Sequence, residues 1–258
     1  MLKNQRFKGK AAIVTGGAGG IGSEVVRRLA KQGAQILLTD ISQEACTKTQ
    51  RKLQEEGLSV EICAADLTSR QGCDSIIETA IGKFGAIDIL INNAGYMCRG
   101  PIEETSDEMW DMSFDVNVKA VFCLSRAATP YMRKRGGGAI VNTSSTWGVY
   151  PGPNHIAYCT SKGAVASLTK NMGRDLAVDN IRVNAVCPNE VNTPMIRSGF
   201  EIRGLDPDQA IDELNASVPL GRIAEPDDIA DVILFLVSDE ARYMAGAILE
   251  VSGAKPVY

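Results

Sequence analysis

The segment PGPNHIAYCTSK (151–162) holds the chain's single histidine, His155, and a tyrosine and a lysine four residues apart, Tyr158 and Lys162. Residues at i and i+4 share one face of a helix, so phenol and ammonium would lie side by side. A free phenol titrates near about 10 and is a poor base at neutral pH. An adjacent ammonium favours the phenolate. The spacing therefore predicts that Lys162 lowers the pKa of Tyr158. Tyr158 could then take the proton of an alcohol while hydride leaves the carbon. Ser145, at the end of an apolar run, can hydrogen-bond the substrate oxygen. A Ser-His hydrolase with His155 as base is the competing chemistry, but the chain has no Gly-x-Ser-x-Gly elbow. That leaves His155 as a turn residue or a substrate-orienting contact.

A second group of residues points to a dinucleotide. VTGGAGGIG (14–22) follows an apolar run and opens a helical pattern. Gly16, Gly20 and Gly22, with Ala18, Gly19 and Ile21 between them, allow a tight turn and a close approach to a pyrophosphate at the helix N-terminus. No Lys-Ser/Thr pair follows, which excludes a P-loop. Asp40 ends the next apolar run, about twenty residues on. Its carboxylate could accept hydrogen bonds from both hydroxyls of an adenosine ribose and would repel a 2′-phosphate. Ile41 follows it, so no basic partner for such a phosphate appears, and NAD is favoured over NADP. The plainer alternative is that Asp40 caps the helix beginning near Ser42. Asp66, Leu67, Asn93, Ala94 and Gly95 end the third and fourth runs and could line the adenine and ribose pocket.

These residues need a frame. The runs 11–16, 34–40, 58–66, 87–95, 138–145, 181–188 and 247–253 read as strands, with helical patterns such as 22–32 and 74–84 between most of them. Alternation of this kind predicts an α/β fold: a Rossmann-like, doubly wound, mostly seven-stranded parallel sheet with helices on both faces. Ligands bind such sheets beyond the carboxyl ends of the strands, where every motif above lies. The apolar run VILFLV (232–237) reads as a buried helix segment. Residues 1–258 read as one domain.

Bulk composition narrows the class further. The 258 residues are 45% apolar with a net charge of −4. Without a basic stripe, neither nucleic acid nor a membrane surface is an expected partner. Seven cysteines without a Cys-x-x-Cys pair, and one histidine, do not make a usual zinc site, so no metal is expected. The odd cysteine count and the short N-terminal apolar run point to reduced thiols and the cytoplasm.

TGGAGGIG, NNAG (92–95), SS (144–145), YCTSK (158–162) and NAVCPNEVNTP (184–194) occur in the order of the short-chain dehydrogenase/reductase family, which the chain resembles from about Gly9 to Gly253. The resemblance implies a nicotinamide cofactor and a homotetramer. It selects Ser145 over Ser144, because the family's serine precedes its tyrosine by the interval that separates Ser145 from Tyr158. It makes Asn117 the fourth catalytic residue, holding a relay water. It also implies that Lys162 reaches the nicotinamide ribose, that Pro188, Val191 and Thr193 contact the nicotinamide, and that a substrate lid lies near 195–217.

Two positions depart from the family pattern: Asn189 stands where glycine is common, and Val251-Ser252-Gly253-Ala254 replaces Val-Asp-Gly-Gly before the tail KPVY. Arg99, Ser145, His155 and Asn189 are the substrate-binding candidates. Asn154, Glu190, Arg197 and Arg203 are further polar groups on that side. The implied reaction is NAD-dependent oxidation of a secondary or anomeric alcohol in a small polar substrate (sugar, sugar acid or polyol), or its reverse. The alternatives are a 3-oxoacyl thioester or steroid reductase, and a catalytically silent NAD-binding regulatory protein.

Overall fold

A computed structural model of the chain describes residues 5–255. Residues 1–4 of the N-terminal segment and the last three of the KPVY tail lie outside the described residues. Seven strands form one sheet: β1 (Ala11–Thr15), β2 (Gln35–Asp40), β3 (Glu61–Ala64), β4 (Ile89–Asn92), β5 (Gly138–Thr143), β6 (Ile181–Pro188) and β7 (Ile248–Val251). Their order is β3-β2-β1-β4-β5-β6-β7, and every neighbouring pair is parallel. The chain changes direction across the sheet between β1 and β4, where Val14 pairs Leu38 on one side and Ile91 on the other.

The strands are apolar at consecutive positions because both of their faces are buried. Ala12, Val14, Ile36, Leu38, Ile89, Ile91 and Val141 join one core with helices α1 (Gly20–Lys31), α2 (Gln43–Glu55) and α9 (Pro226–Val237). The alternate residues Ile13, Leu37, Leu90, Ile140 and Val183 face the other core, with α3 (Arg70–Phe84), α5 (Ala120–Lys134) and the end of α6 (Ile156–Leu176). Burying each Leu or Ile side chain contributes on the order of 1.5–3 kcal/mol. The VILFLV run lies within α9, with Ile233, Leu234, Leu236 and Val237 buried. Helix α4 (Asp107–Phe114) runs into a π-helical turn, Asp115–Lys119, before α5. Helices α7 (Pro194–Ile202) and α8 (Pro207–Ser217) follow β6 and pack around Phe200, Ile211 and Val218. Among the described residues, no helix is long and apolar enough to cross a membrane, and no group of three or more His, Cys, Asp or Glu is placed to hold a metal.

Five strands end earlier than the apolar runs predict: β1 by one residue at Thr15, and β3, β4, β5 and β7 by two or three at Ala64, Asn92, Thr143 and Val251. Beyond β4 the polar residues leave the ladder to make side-chain bonds. Asn93 Nδ2 donates to Thr15 O at 3.2 Å and to Gly16 O at 3.3 Å, while the Asn93 and Ala94 amides both donate to Thr15 Oγ1 at 3.0 Å.

A buried polar chain fixes α6 to the sheet. Asn92 Nδ2 donates to Asn142 Oδ1 at 2.8 Å, and Asn142 Nδ2 donates to Thr169 Oγ1 of α6 at 2.9 Å. Asn142 and Thr169 are fully buried. Asn142→Leu removes both bonds and forces a bulkier side chain into a fully buried site, with Asn92 Nδ2 left only Ser125 Oγ and Thr169 Oγ1 only the Val165 carbonyl. Its expected effect is a loss of about 2–4 kcal/mol, read by calorimetry as a fall in Tm of roughly 5–15 °C.

Candidate active site

Tyr158 and Lys162 sit one turn apart near the start of α6, both buried. The helix is pinned at that turn, because Ser144 Oγ donates to the Lys162 carbonyl at 2.8 Å. Lys162 Nζ donates to Thr143 O at 2.8 Å and lies 5.8 Å from the centre of the Tyr158 ring. The Ser145 hydroxyl lies close enough to the Tyr158 phenol to act on its titration. The Trp147 amide donates to Ser145 Oγ at 3.1 Å and so fixes that hydroxyl. The two serines thus divide the work: Ser144 anchors the helix and Ser145 meets the tyrosine.

Burial outweighs the pairing expected between Tyr158 and Lys162. It pushes the Tyr158 phenol up to about 12, with the Ser145 hydroxyl only partly opposing it. It pushes the Lys162 ammonium down to about 8. The expected lowering of the tyrosine is therefore reversed. Desolvation disfavours the phenolate, and the Lys162 ammonium is not among the groups that act on it. At neutral pH the resting chain keeps Tyr158 protonated and Lys162 charged.

Asn117 lies in the π-helical turn, a feature often found at functional sites. It is buried and does not line the cavity. Its Oδ1 accepts from the Tyr96 amide at 2.8 Å, and its Nδ2 donates to Tyr96 O and to Ser161 Oγ at 2.9 Å each. Both of its N–H groups are engaged within the chain. It braces the loop after β4 against α6, close to Gly95 and the Lys162 ammonium.

These residues open on a cavity of about 1080 Å³ at the carboxyl ends of the strands. Gly16, Gly19, Gly20, Ile21 and Asp40 form one end of its wall, followed by Asn93, Ala94 and Gly95. Gly16 has φ +61°, and a Cβ there would sit 2.9 Å from Ala94 Cα. A Cβ on Gly22 would lie 2.0 Å from Gly16 O, so Gly22 serves the packing of α1 on the turn and does not line the cavity. Gly19 is the N-cap of α1 and offers no side-chain cap, which leaves the helix N-terminus open for a phosphate. Asp40 Oδ2 accepts from the Ala18 amide at 3.4 Å, so the carboxylate faces the glycine turn. The cap of α2 is Ser42, whose Oγ accepts from the Ala45 amide at 3.1 Å. A dinucleotide fits these features: an open helix end for pyrophosphate and a carboxylate beside it for the ribose.

Besides Gly22, four cofactor candidates lie off the cavity wall: Ala18, Ile41, Asp66 and Leu67. Ile41 is 73% exposed. Asp66 Oδ1 accepts from the Thr68 amide at 2.9 Å and from Thr68 Oγ1 at 2.8 Å, which closes the turn before α3. Leu67 packs against the second core. The structure does bring Pro188, Val191 and Thr193 to the wall, together with Tyr158, Lys162 and Ser145.

The opposite end of the cavity is bounded by Arg99, Asn154, His155, Asn189 and Glu190, and by α7. His155 Nδ1 lies 2.6 Å from Pro153 O. A carbonyl only accepts, so Nδ1 carries the proton and Nε2 is the free acceptor. Burial, followed by the charges of Arg99 and Arg203, holds the imidazole below its ordinary pKa, and only the Pro153 contact opposes this. Its ring packs on Trp147 at 4.8 Å. Asn189 Oδ1 accepts from Thr146 Oγ1 at 3.3 Å. Glu190 Oε1 accepts from Lys255 Nζ at 2.7 Å, while its second oxygen is buried without a partner. Arg197 points away from the cavity wall, to Asn192 and Asp208.

Sequence reasoning placed a lid near 195–217 but named only its polar groups, and so missed the apolar wall it supplies through Met195, Ile196, Phe200, Ile202 and Leu214, with Met97 from the loop after β4. The signal was present in the helical spacing of 195–202, which places Met195, Ile196, Phe200 and Ile202 around one short helix. Ser161 was also missed, and nothing in the sequence marks it as a partner of Asn117.

A parallel sheet with a dinucleotide turn at its switch point and a buried Ser-Tyr-Lys group beside it defines a nicotinamide-dependent oxidoreductase. The chain belongs to the short-chain dehydrogenase family, whose model, described as short chain dehydrogenase, matches residues 10–202. A 3alpha-hydroxysteroid dehydrogenase of Mediterraneibacter gnavus is 41% identical over 256 residues, 98% of each chain. Among solved structures, L-sorbose reductase of Gluconobacter frateurii, complexed with NADPH and L-sorbose, is 32% identical with a TM-score of 0.92, covering 98% of each chain. An NAD+-bound xylitol dehydrogenase is 33% identical with a TM-score of 0.90, covering 97% of this chain and 100% of that one.

The depressed pKa of Lys162 carries a stability consequence. The unfolded chain holds this proton up to about 10.5, the folded one only to about 8. The buried charge weighs fully on the fold below pH 8, and the burden is relieved as pH rises from 8 towards 10.5. Lys162→Met should therefore abolish turnover yet stabilise the fold at pH 7 by about 2 kcal/mol, after the lost Thr143 bond is set against the removed charge. Denaturant titrations at several pH values should show this advantage shrinking above pH 8.

Proposed function

We propose that the protein is an NAD-dependent oxidoreductase moving a hydride between the nicotinamide and a secondary or anomeric alcohol of a small polar hydroxylated substrate. The observation that carries the reading is that Ser145, Tyr158 and Lys162 line the wall of a cavity whose other end presents Asp40. When bound, the nicotinamide supplies the hydride acceptor or donor. Ser145 orients the substrate oxygen, and Tyr158 moves its proton. Lys162, held by Thr143 O, supplies positive charge beside the developing phenolate. Asn117 holds the Tyr96 backbone and Ser161, which keeps the loop after β4 and α6 in register. With Tyr158 protonated at neutral pH, the site is poised to donate a proton to a carbonyl, and alcohol oxidation should speed up as pH rises.

NAD is favoured by Asp40 facing the glycine turn. It is also favoured by the absence of a basic residue there: the basic residues of the cavity wall are Arg99, Lys162 and Arg203, all on other elements. Gly16, Gly19, Gly20, Ile21, Asn93, Ala94, Gly95, Pro188, Val191 and Thr193 complete the cofactor wall in this proposal. A sugar, sugar acid or polyol is supported by the polar rim of Arg99, Asn154 and His155. The α7–α8 segment is proposed as the substrate lid, and the working form as a cytoplasmic homotetramer, as family membership suggests. A steroid or related alicyclic ketone is the second reading, favoured by the apolar lid residues and by the 41% identical hydroxysteroid dehydrogenase. A silent regulatory protein is disfavoured because Asn117, Ser145, Tyr158 and Lys162 are all in place.

Tyr158→Phe should reduce NADH formation at least 1,000-fold with NAD affinity within about threefold of the parent, since the cofactor wall is untouched. Comparable turnover in that variant would end the mechanism. Asp40→Ala combined with Ile41→Arg should raise the NADP-to-NAD ratio of kcat/KM by about 100-fold or more, removing one repulsion and adding one attraction. A panel of sugars, sugar acids, polyols and hydroxysteroids then separates the two substrate readings by relative kcat/KM.

A further inference from the structure

The lid end of the cavity holds two guanidinium groups that take no part in the proton and hydride transfer above. Arg99 comes from the loop after β4, and Arg203 from the residue that ends α7. They meet at Gly199. A Cβ on Gly199 would lie 2.4 Å from Arg99 Nη2, and Arg203 Nε donates to Gly199 O at 3.0 Å. The Arg203 guanidinium stacks on Phe200 at 4.9 Å, which orients its remaining N–H groups. Among the described residues, neither guanidinium is paired with a carboxylate. Arg197 on the same helix is, at 2.8 Å to Asp208. The charges of both Arg99 and Arg203 reach His155 across the cavity.

Guanidinium groups gathered in a partly enclosed wall without a counter-ion repel each other, and an anion from outside the chain relieves that repulsion. The local charge suits a monoanion. Glu104 also lines the cavity, and Glu190 is already held by Lys255. We propose that Arg99 and Arg203 form a carboxylate-binding subsite at the lid side of the substrate cavity, with Gly199 as the seat that lets Arg99 approach. The oxidoreductase reading gains from this a substrate class: hydroxylated carboxylic acids, held by the carboxylate at the lid with the carbinol at Tyr158. The subsite rests on that reading only for its link to turnover.

Two readouts keep the subsite separable from the oxidoreductase reading. Trp147, packed on His155, is a fluorescent reporter in a Trp110→Phe background. With NAD present, cyclohexanecarboxylate should quench or enhance it at concentrations at least tenfold lower than cyclohexanecarboxamide does. The preference should fall below threefold in the Arg99→Ala/Arg203→Ala double variant. It should shrink in Gly199→Ala, which displaces the Arg99 guanidinium without removing charge. Equal binding of acid and amide, or a preference that survives the double variant, overturns the proposal; tighter binding of cyclohexyl phosphate overturns the choice of carboxylate. NADH formation from 4-hydroxycyclohexanecarboxylate and its amide should show the same ratio in kcat/KM, carried by KM. A carboxylate preference in binding with no NADH from either alcohol would uphold the subsite and sink the oxidoreductase reading instead.

Discussion

A lysine ammonium held almost out of contact with water is the constraint around which this structure is arranged. Lys162 is 3% exposed, and its Nζ is met by a single backbone carbonyl, that of Thr143. That carbonyl is free because β5 stops there. The next residue turns its hydroxyl back onto the Lys162 backbone, so strand end and helix hold each other at the same turn. The polar chain Asn92–Asn142–Thr169 then fixes the far side of α6 to the middle of the sheet. A charge can persist in so dry a place only if its surroundings cannot rearrange to hydrate it. The rigidity of α6 is thus part of the chemistry. The same dryness separates the pKa values of Tyr158 and Lys162 in opposite directions from their ordinary ones.

Much of the frame was legible because both faces of each strand are buried. Consecutive apolar residues at Ala11–Val14, Ile36–Leu38 and Ile89–Ile91 betray a two-sided strand. The Tyr158–Lys162 spacing placed both groups on one helix face, as found. Proximity alone misled on the pKa direction, because spacing carries no information about how much water surrounds a pair. Asp66 looked like a pocket residue from its place at a strand end, yet a hydroxyl two residues on occupies it. Arg197 and Arg203 could not be told apart in sequence. Six residues of helix rotate one of them away from the cavity, and Asp208 of the next helix, unseen until the fold closes, claims Arg197. Asn117 depends on a π-helical turn that no periodicity announces.

Chemistry and recognition are built on different parts of the molecule. The groups proposed to move protons sit on a strand end and a long helix tied to the core. The opposite cavity wall, proposed to face the substrate, comes from the loop after β4, the turn before α6 and the two short helices after β6. Those helices pack around their own small cluster and contribute little to the two main cores. Such a division lets the outer wall vary in charge and shape while the proton-moving groups stay where the sheet puts them.

The order of the strands also sets a schedule. β1 needs β2 on one edge and β4 on the other, but β4 begins at Ile89, long after Thr15 closes β1. At ribosomal rates of about 5–20 residues per second, that edge waits roughly 4–15 s for its partner. Until then Thr15 Oγ1 lacks the two amides that brace the glycine turn. The turn that would meet the nucleotide, encoded among the first residues made, is braced only once Ala94 has been added, and the nascent chain carries an open apolar edge in the meantime.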